Sequence, residues 1–234
     1  MGGYYLYGFD PYYIMLVVPA FLFALYAQFR VSSTFNRYSR ISNARGLTGA
    51  EIARFILDQN GLADIDVQRI AGELTDHYDP GAKAVRLSER VFSSTSVAAI
   101  GVAAHETGHA VQHKEGYAPL VLRNSLVPVA GIGSSAGFYL AIIGLFLGFA
   151  FLVQLGIILY TIAVAFYLIT LPVEFNASSR AIGTLESAGI LTWDEIEPAR
   201  KVLRAAAMTY VASAAVAIAN LLRLVLLANN RRRD

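Results

Sequence analysis

Residues 125–173 read SLVPVAGIGSSAGFYLAIIGLFLGFAFLVQLGIILYTIAVAFYLITLPV, 49 consecutive positions without an Asp, Glu, Lys or Arg. A helix crosses a bilayer in roughly 20 residues, so this stretch is too long for one crossing and suits two joined by a tight turn. The expected spans are 126–150 and 154–171. Residues 12–29 form another charge-free run, followed by Arg30, Arg37, Arg40 and Arg45. No basic residue precedes that run and no small-x-small cleavage site ends it, so it reads as a signal anchor with its N-terminus outside, not as a cleaved signal. A third apolar region, 210–227, contains Asn220 and Arg223. An ionisable side chain there must face protein or water, or snorkel to an interface, so the sequence leaves open whether this helix crosses.

The composition agrees with a membrane protein. Of 234 residues, 56% are hydrophobic and 15% charged, against about 45–50% and 25% in soluble domains; mean hydropathy is +0.49. A net charge of +2 and the lack of any phosphate-tracking basic surface exclude nucleic acid as the partner. With no cysteine, disulfides and thiolate metal sites are excluded. Eleven Lys and Arg lie between Arg30 and Arg123, and Arg180, Arg200, Lys201 and Arg204 follow the 49-residue stretch. By the positive-inside rule both regions are cytoplasmic. The expected division is a short extracytoplasmic N-terminus (1–11), a first transmembrane helix (12–29), a cytoplasmic region (30–124), a transmembrane hairpin (125–173), a second cytoplasmic segment (174–205), a C-terminal hydrophobic helix (206–228) and a basic tail (229–234). Arg231, Arg232 and Arg233 of that tail oppose the rule if the last helix crosses.

Within 30–124, Thr48 and Glu51 form a capping box ahead of Ile52, Phe55 and Ile56, and Gly61 stops that helix. Residues 64–75 read as a strand or short helix, 76–81 as a turn, and 83–88 as a short strand, at an edge. Ser94 and Ser96 precede a helix over 97–114, ended by Gly116 and Pro119.

That helix carries His105-Glu106-Thr107-Gly108-His109, the pattern H-E-x-x-H. Positions i and i+4 share one helix face about 6 Å apart along the axis, so both imidazoles can meet one Zn²⁺. Glu106 lies about 100° round the helix, where it reaches a water on the metal and can act as general base. The preceding residues 97–104 are small and apolar, which predicts a buried helix. Two histidines and a glutamate are costly to bury there unless something pairs with them, and a metal does so.

A catalytic zinc needs a third protein ligand. His113 shares the face but lies a further turn along, and His77 falls in the expected turn. Glu174 is the leading choice, the first charged residue after the 49, just past Pro172 at a membrane boundary. Two crossings separate it from the histidine pair, which returns all three side chains to one side.

Four stretches, Asp76-His77-Tyr78-Asp79-Pro80, Val85-Arg86-Leu87-Ser88, residues 102–113 around the histidine pair, and residues 171–178 around Glu174, together resemble the neutral zinc metallopeptidases of bacterial membranes. The resemblance implies one zinc per chain on His105, His109 and Glu174, with Glu106 catalytic. It implies a mainly α-helical multi-pass membrane protein whose cytoplasmic region is an α+β zincin-like fold with a short strand near the metal helix. The expected location is the bacterial cytoplasmic membrane, lying in the lipid bilayer with the catalytic side cytoplasmic, and the expected substrates are polypeptides, above all membrane proteins or their exposed loops. In the wider group with a glutamate ligand, an acid four positions after that ligand supports the site; here that position is Ser178, so Asn176 is the expected support. A strand near the metal helix often binds substrate backbone in this group, which points to Ala84, Val85, Arg86 and Leu87. Arg180, His77 and Tyr78 are candidate oxyanion donors.

Three other readings compete. An intramembrane site-2-like protease would need a distant Asp-Gly ligand, and the sequence has none. A non-catalytic zinc-containing scaffold or chaperone subunit would close its site with four protein ligands. A transporter would place ionisable residues in its firm spans, and these have none.

Overall fold

The structure, a computed structural model, describes residues 10–231. Expectations for residues 1–9 and for Arg232 and Arg233 lie outside the described residues. In chain order a π-turn, Tyr13–Val17, leads into α1 (Val18–Tyr38), followed by α2 (Gly49–Gln59), β1 (Asp66–Ile70), β2 (His77–Asp79), β3 (Ala84–Ser88), α3 (Glu89–Phe92) and α4 (Val97–Lys114). Then come α5 (Ala118–Ile132), a π-turn over Gly133–Gly137, α6 (Phe138–Leu147), α7 (Ala150–Ser187) and α8 (Trp193–Arg231). Four of the resulting helical stretches are long and apolar enough to cross a membrane: Tyr13–Tyr38, Ala118–Leu147, Ala150–Ser187 and Trp193–Arg231. The chain divides into two compact units.

Among the described residues, one unit comprises 10–28, 122–171 and 209–231. Its core joins Ala141 of α6, Tyr160 and Val164 of α7, and Ala217 and Leu224 of α8. Phe21, Leu22, Phe146, Phe151 and Ile158 are more than half exposed, which suits helices solvated by lipid. The hairpin turns at Gly148, whose φ of +81° closes α6 in the left-handed conformation. The turn therefore precedes the expected 150–154. A side chain at Gly156 would collide with the Ala141 backbone, so the glycine is what lets α6 and α7 pack closely. Arg223 is buried and paired with Asp10 at 2.6 Å, with its guanidinium 5.1 Å from the Tyr13 ring centre. It faces protein and does not snorkel. Asn230 donates to the Tyr12 hydroxyl at 2.7 Å, so the end of α8 meets the start of the first helix.

The other unit comprises residues 29–121 and 172–208. The Thr48–Glu51 capping box is present, and α2 ends at Gln59 ahead of Gly61. The sheet order is β1-β3-β2, with β1 parallel and β2 antiparallel to β3. Two expectations change here. His77–Asp79 is a strand and not part of a turn; the turn is confined to residues 80–83. The strand built from Ala84, Val85, Arg86 and Leu87 is central, not an edge, because its backbone pairs with β1 on one side and β2 on the other. It cannot add a substrate strand.

The α4 helix spans the expected residues and is capped by Ser96, whose hydroxyl accepts from Ala99 N. One side packs on the sheet and α2 through Ala99 and Ala103 against Val85, Leu87 and Leu57. The other packs through Val97, Ile100 and Ala104 against Ala181, Leu185, Ala199 and Leu203. Being enclosed on both sides is why its sequence is apolar almost all round. Pro172 lies inside α7, which runs on unbroken to Ser187. Its missing N–H removes only one rung of the helical ladder. Glu174 thus belongs to a helix interior, where its direction is fixed by the turns before and after it.

Candidate metal centre

The metal centre is built on two helices of the second unit. On α4, His105 and His109 stand one turn apart with ring centres 4.8 Å apart and planes at 83°. From α7, Glu174 Oε2 lies 3.3 Å from His105 Nε2 and 3.6 Å from His109 Nε2. The three ligand atoms fall within 4.8 Å of one another. Glu174 is 2% exposed and His109 9%. Close approach of the helices depends on Gly108, where a Cβ would stand 3.0 Å from the Ala177 carbonyl oxygen.

The far side of each imidazole is held as a metal ligand requires. His109 Nδ1 donates to Gln112 Oε1 at 3.0 Å. The Gln112 amide can face only one way, because its NH₂ donates to Val173 O and Asn176 Oδ1, both at 2.9 Å. Asn176 Oδ1 also accepts from Arg180 Nε at 2.8 Å, and Arg180 pairs with Glu115 at 2.6 Å. A chain of contacts thus runs from a ligand to an exposed ion pair. His105 Nδ1 lies 3.1 Å from the Ser178 hydroxyl. With both Nδ1 atoms engaged, both Nε2 atoms face the position shared with Glu174.

The electrostatics favour a cation there. Burial raises the Glu174 carboxyl, but hydrogen bonds from His105 and His109 and their charge outweigh it and hold the group well below the usual carboxylate range. Burial lowers the His109 imidazole, yet its bond to Glu174 and the charges of Glu106 and Glu174 raise it overall. Two nitrogens and a carboxylate oxygen, with the second buried carboxyl of Glu106 beside them, suit a divalent ion of the zinc type.

The sequence candidates separate clearly. His105, His109 and Glu174 come together, while His113 and His77 stay apart from them. His113 Nδ1 pairs with the Tyr78 hydroxyl at 2.9 Å, and His77 Nδ1 donates to Thr75 O at 2.8 Å. Arg180 and Asn176 support the site through Gln112. At the position where the wider group has an acid, Ser178 contacts His105, and Asn176 accepts from the glutamine that contacts His109. Gln112 was not anticipated, although its place three residues after His109 is the signal that finds it.

Residues 13–229 match the family described as "Putative neutral zinc metallopeptidase". The chain is 50% identical over 220 residues to "Putative membrane protease YugP" of Bacillus subtilis (strain 168), covering 94% of this chain and 98% of that protein. No solved structure matches it.

Proposed function

Because the chain belongs to this family of neutral zinc metallopeptidases, we propose that it is a membrane zinc endopeptidase cleaving peptide bonds with one zinc on His105, His109 and Glu174. The observation that carries the reading is the convergence of two Nε2 atoms and one carboxylate oxygen, with each Nδ1 already engaged. Zinc bound there would polarise the scissile carbonyl and acidify the attacking water.

Glu106, next to His105 on the helix, takes the proton from that water and hands it to the leaving amine. Gln112 keeps His109 in the Nδ1–H tautomer, and Ser178 holds the orientation of the His105 ring. Among the described residues β2 is laddered only to β3, and Tyr78 ties it to His113 of the metal helix. The substrate backbone would therefore add along His77–Asp79 and not along β3. The Lys and Arg distribution favours the cytoplasmic face of the cytoplasmic membrane for the site. Membrane proteins or their exposed loops are the substrates that would reach it.

The test is zinc content and proteolysis of detergent-purified protein. Wild type should hold about one zinc and cleave. Glu106→Gln should keep the metal and lose roughly a hundred- to ten-thousand-fold in rate. Glu174→Ala should lose the metal. Undiminished cleavage by Glu106→Gln would end the peptidase reading and leave a zinc-containing scaffold.

A further inference from the structure

Apart from the metal centre, the second unit has a cleft of about 610 Å³ between the C-terminal part of α1 and the N-terminal part of α8. Its walls carry four cations, Arg30, Arg37, Lys201 and Arg204, and the hydroxyls of Ser33 and Thr34, with no carboxylate among the lining residues. The spacing explains the clustering. Arg30, Ser33, Thr34 and Arg37 stand at i, i+3, i+4 and i+7 of one helix, and Lys201, Arg204, Ala205 and Met208 repeat the pattern on the other. Each set forms one stripe, and the stripes face each other across the cleft. Glu186 and Glu197, which precede Lys201 in the chain, both pair with Arg200, outside the cleft lining.

Both walls also change character at the same end. Arg30 directly follows the charge-free run 12–29, and Met208 precedes the apolar run 210–227 by two residues. Along α8 the lining thus passes from Lys201 and Arg204 to Ala205 and Met208, and along α1 from Arg37 to Arg30, beyond which the helix carries no charge. A soluble anion would use only the charged part, whereas an amphiphile with an anionic head uses both.

We propose that this cleft binds the phosphate headgroup of an anionic phospholipid, with its acyl chains continuing into the bilayer. A basic pocket at the cytoplasmic ends of membrane helices is where such headgroups gain most. None of its residues belongs to the metal centre, so the site stands or falls independently of the peptidase reading.

The experiment uses the full chain in zwitterionic detergent, titrated with short-chain phosphatidylglycerol while thermal unfolding is followed, with bound lipid counted by native mass spectrometry. Wild type should show a saturable rise in Tm that short-chain phosphatidylcholine and inorganic phosphate do not give. Arg37→Gln and Arg204→Gln should each weaken binding about fivefold, and together roughly thirtyfold. Arg69→Gln, at an exposed strand position, should leave it unchanged. Lys201→Gln provides a second, exposed variant should the double variant not fold. The proposal is overturned if the cleft variants bind phosphatidylglycerol as wild type does. It is equally overturned if inorganic phosphate or a polyglutamate peptide gives the same rise with the same dependence on Arg37 and Arg204.

Discussion

The side-chain carbonyl of Gln112 lies 3.0 Å from Nδ1 of His109, one turn back along the same helix. The bond fixes which ring nitrogen faces the metal position, and its geometry is locked by the two acceptors, Val173 O and Asn176 Oδ1, that hold the amide from α7. Gln112→Leu keeps the helix and the volume but removes the acceptor. Zinc affinity, measured by competition with a chromophoric chelator, is expected to fall about 10- to 100-fold. An unchanged affinity would mean that packing alone orients His109.

What could be read from the sequence followed from local rules. The Thr48–Glu51 box, the Ser96 cap and the Val97–Lys114 helix depend on side chains within four residues of each other, and all are present. His105 and His109 needed only helical spacing. Glu174 was reachable because the 49-residue apolar run isolates it. The failures all required knowing a neighbour distant in sequence. The central position of β3 depends on β1 and β2 pairing to its two sides. The span expected over 154–171 is part of a longer helix, α7, which runs through Pro172 to Ser187 because α4 and α8 pack against its later turns. Ser178 looks like an absence when compared with an expected acid, and its hydroxyl on His105 becomes visible only when the helices are side by side.

Gly108, inside the H-E-x-x-H motif, tests whether the two metal helices must touch. A Cβ at this position would meet the Ala177 carbonyl at 3.0 Å, with Ala177 Cα at 3.4 Å. These are backbone atoms of a helix and cannot swing aside. Gly108→Ala is therefore expected to push α7 away, with a loss of about 1–3 kcal/mol in stability and of zinc affinity. The measurement is thermal unfolding with and without added zinc. The zinc-induced rise in Tm should shrink more than the metal-free Tm falls; an equal loss in both would place the damage outside the centre.

Asp76 makes a pH-dependent prediction. Burial raises its carboxyl above the ordinary range, even though Ser88 N and the Ser88 hydroxyl both donate to it. A group whose folded pKa lies above its unfolded one holds its proton more tightly in the fold. Its contribution is therefore full below the unfolded pKa and is lost as pH rises through the folded value. Asp76→Asn keeps an acceptor for Ser88 N and presents an NH₂ to the hydroxyl, so the acid-side slope of Tm against pH should flatten. Asp76→Ala leaves Ser88 N without its acceptor and should cost about 1–3 kcal/mol across the range. The same slope in Asp76→Asn as in wild type would assign the titration to another group.

The Asp10–Arg223 pair, in the other unit, is enclosed by apolar helices with side-chain exposures of 6% and 4%. Arg223 donates to one Asp10 oxygen through Nε at 2.8 Å and a terminal nitrogen at 2.6 Å. Removing one partner leaves a charge in a poorly solvating medium, and breaking a buried pair in this way costs about 3–5 kcal/mol. Asp10→Asn and Arg223→Leu should therefore each lower the Tm of the detergent-solubilised protein substantially. The double variant leaves no unpaired charge, and replacing a whole buried pair by uncharged groups is often close to neutral. It should recover most of the stability lost by Arg223→Leu alone, with a large coupling energy in the double-mutant cycle. Additive losses would show that the two residues act separately, Arg223 through its contact with the Tyr13 ring and Asp10 through its cap on Tyr13 N at 2.9 Å.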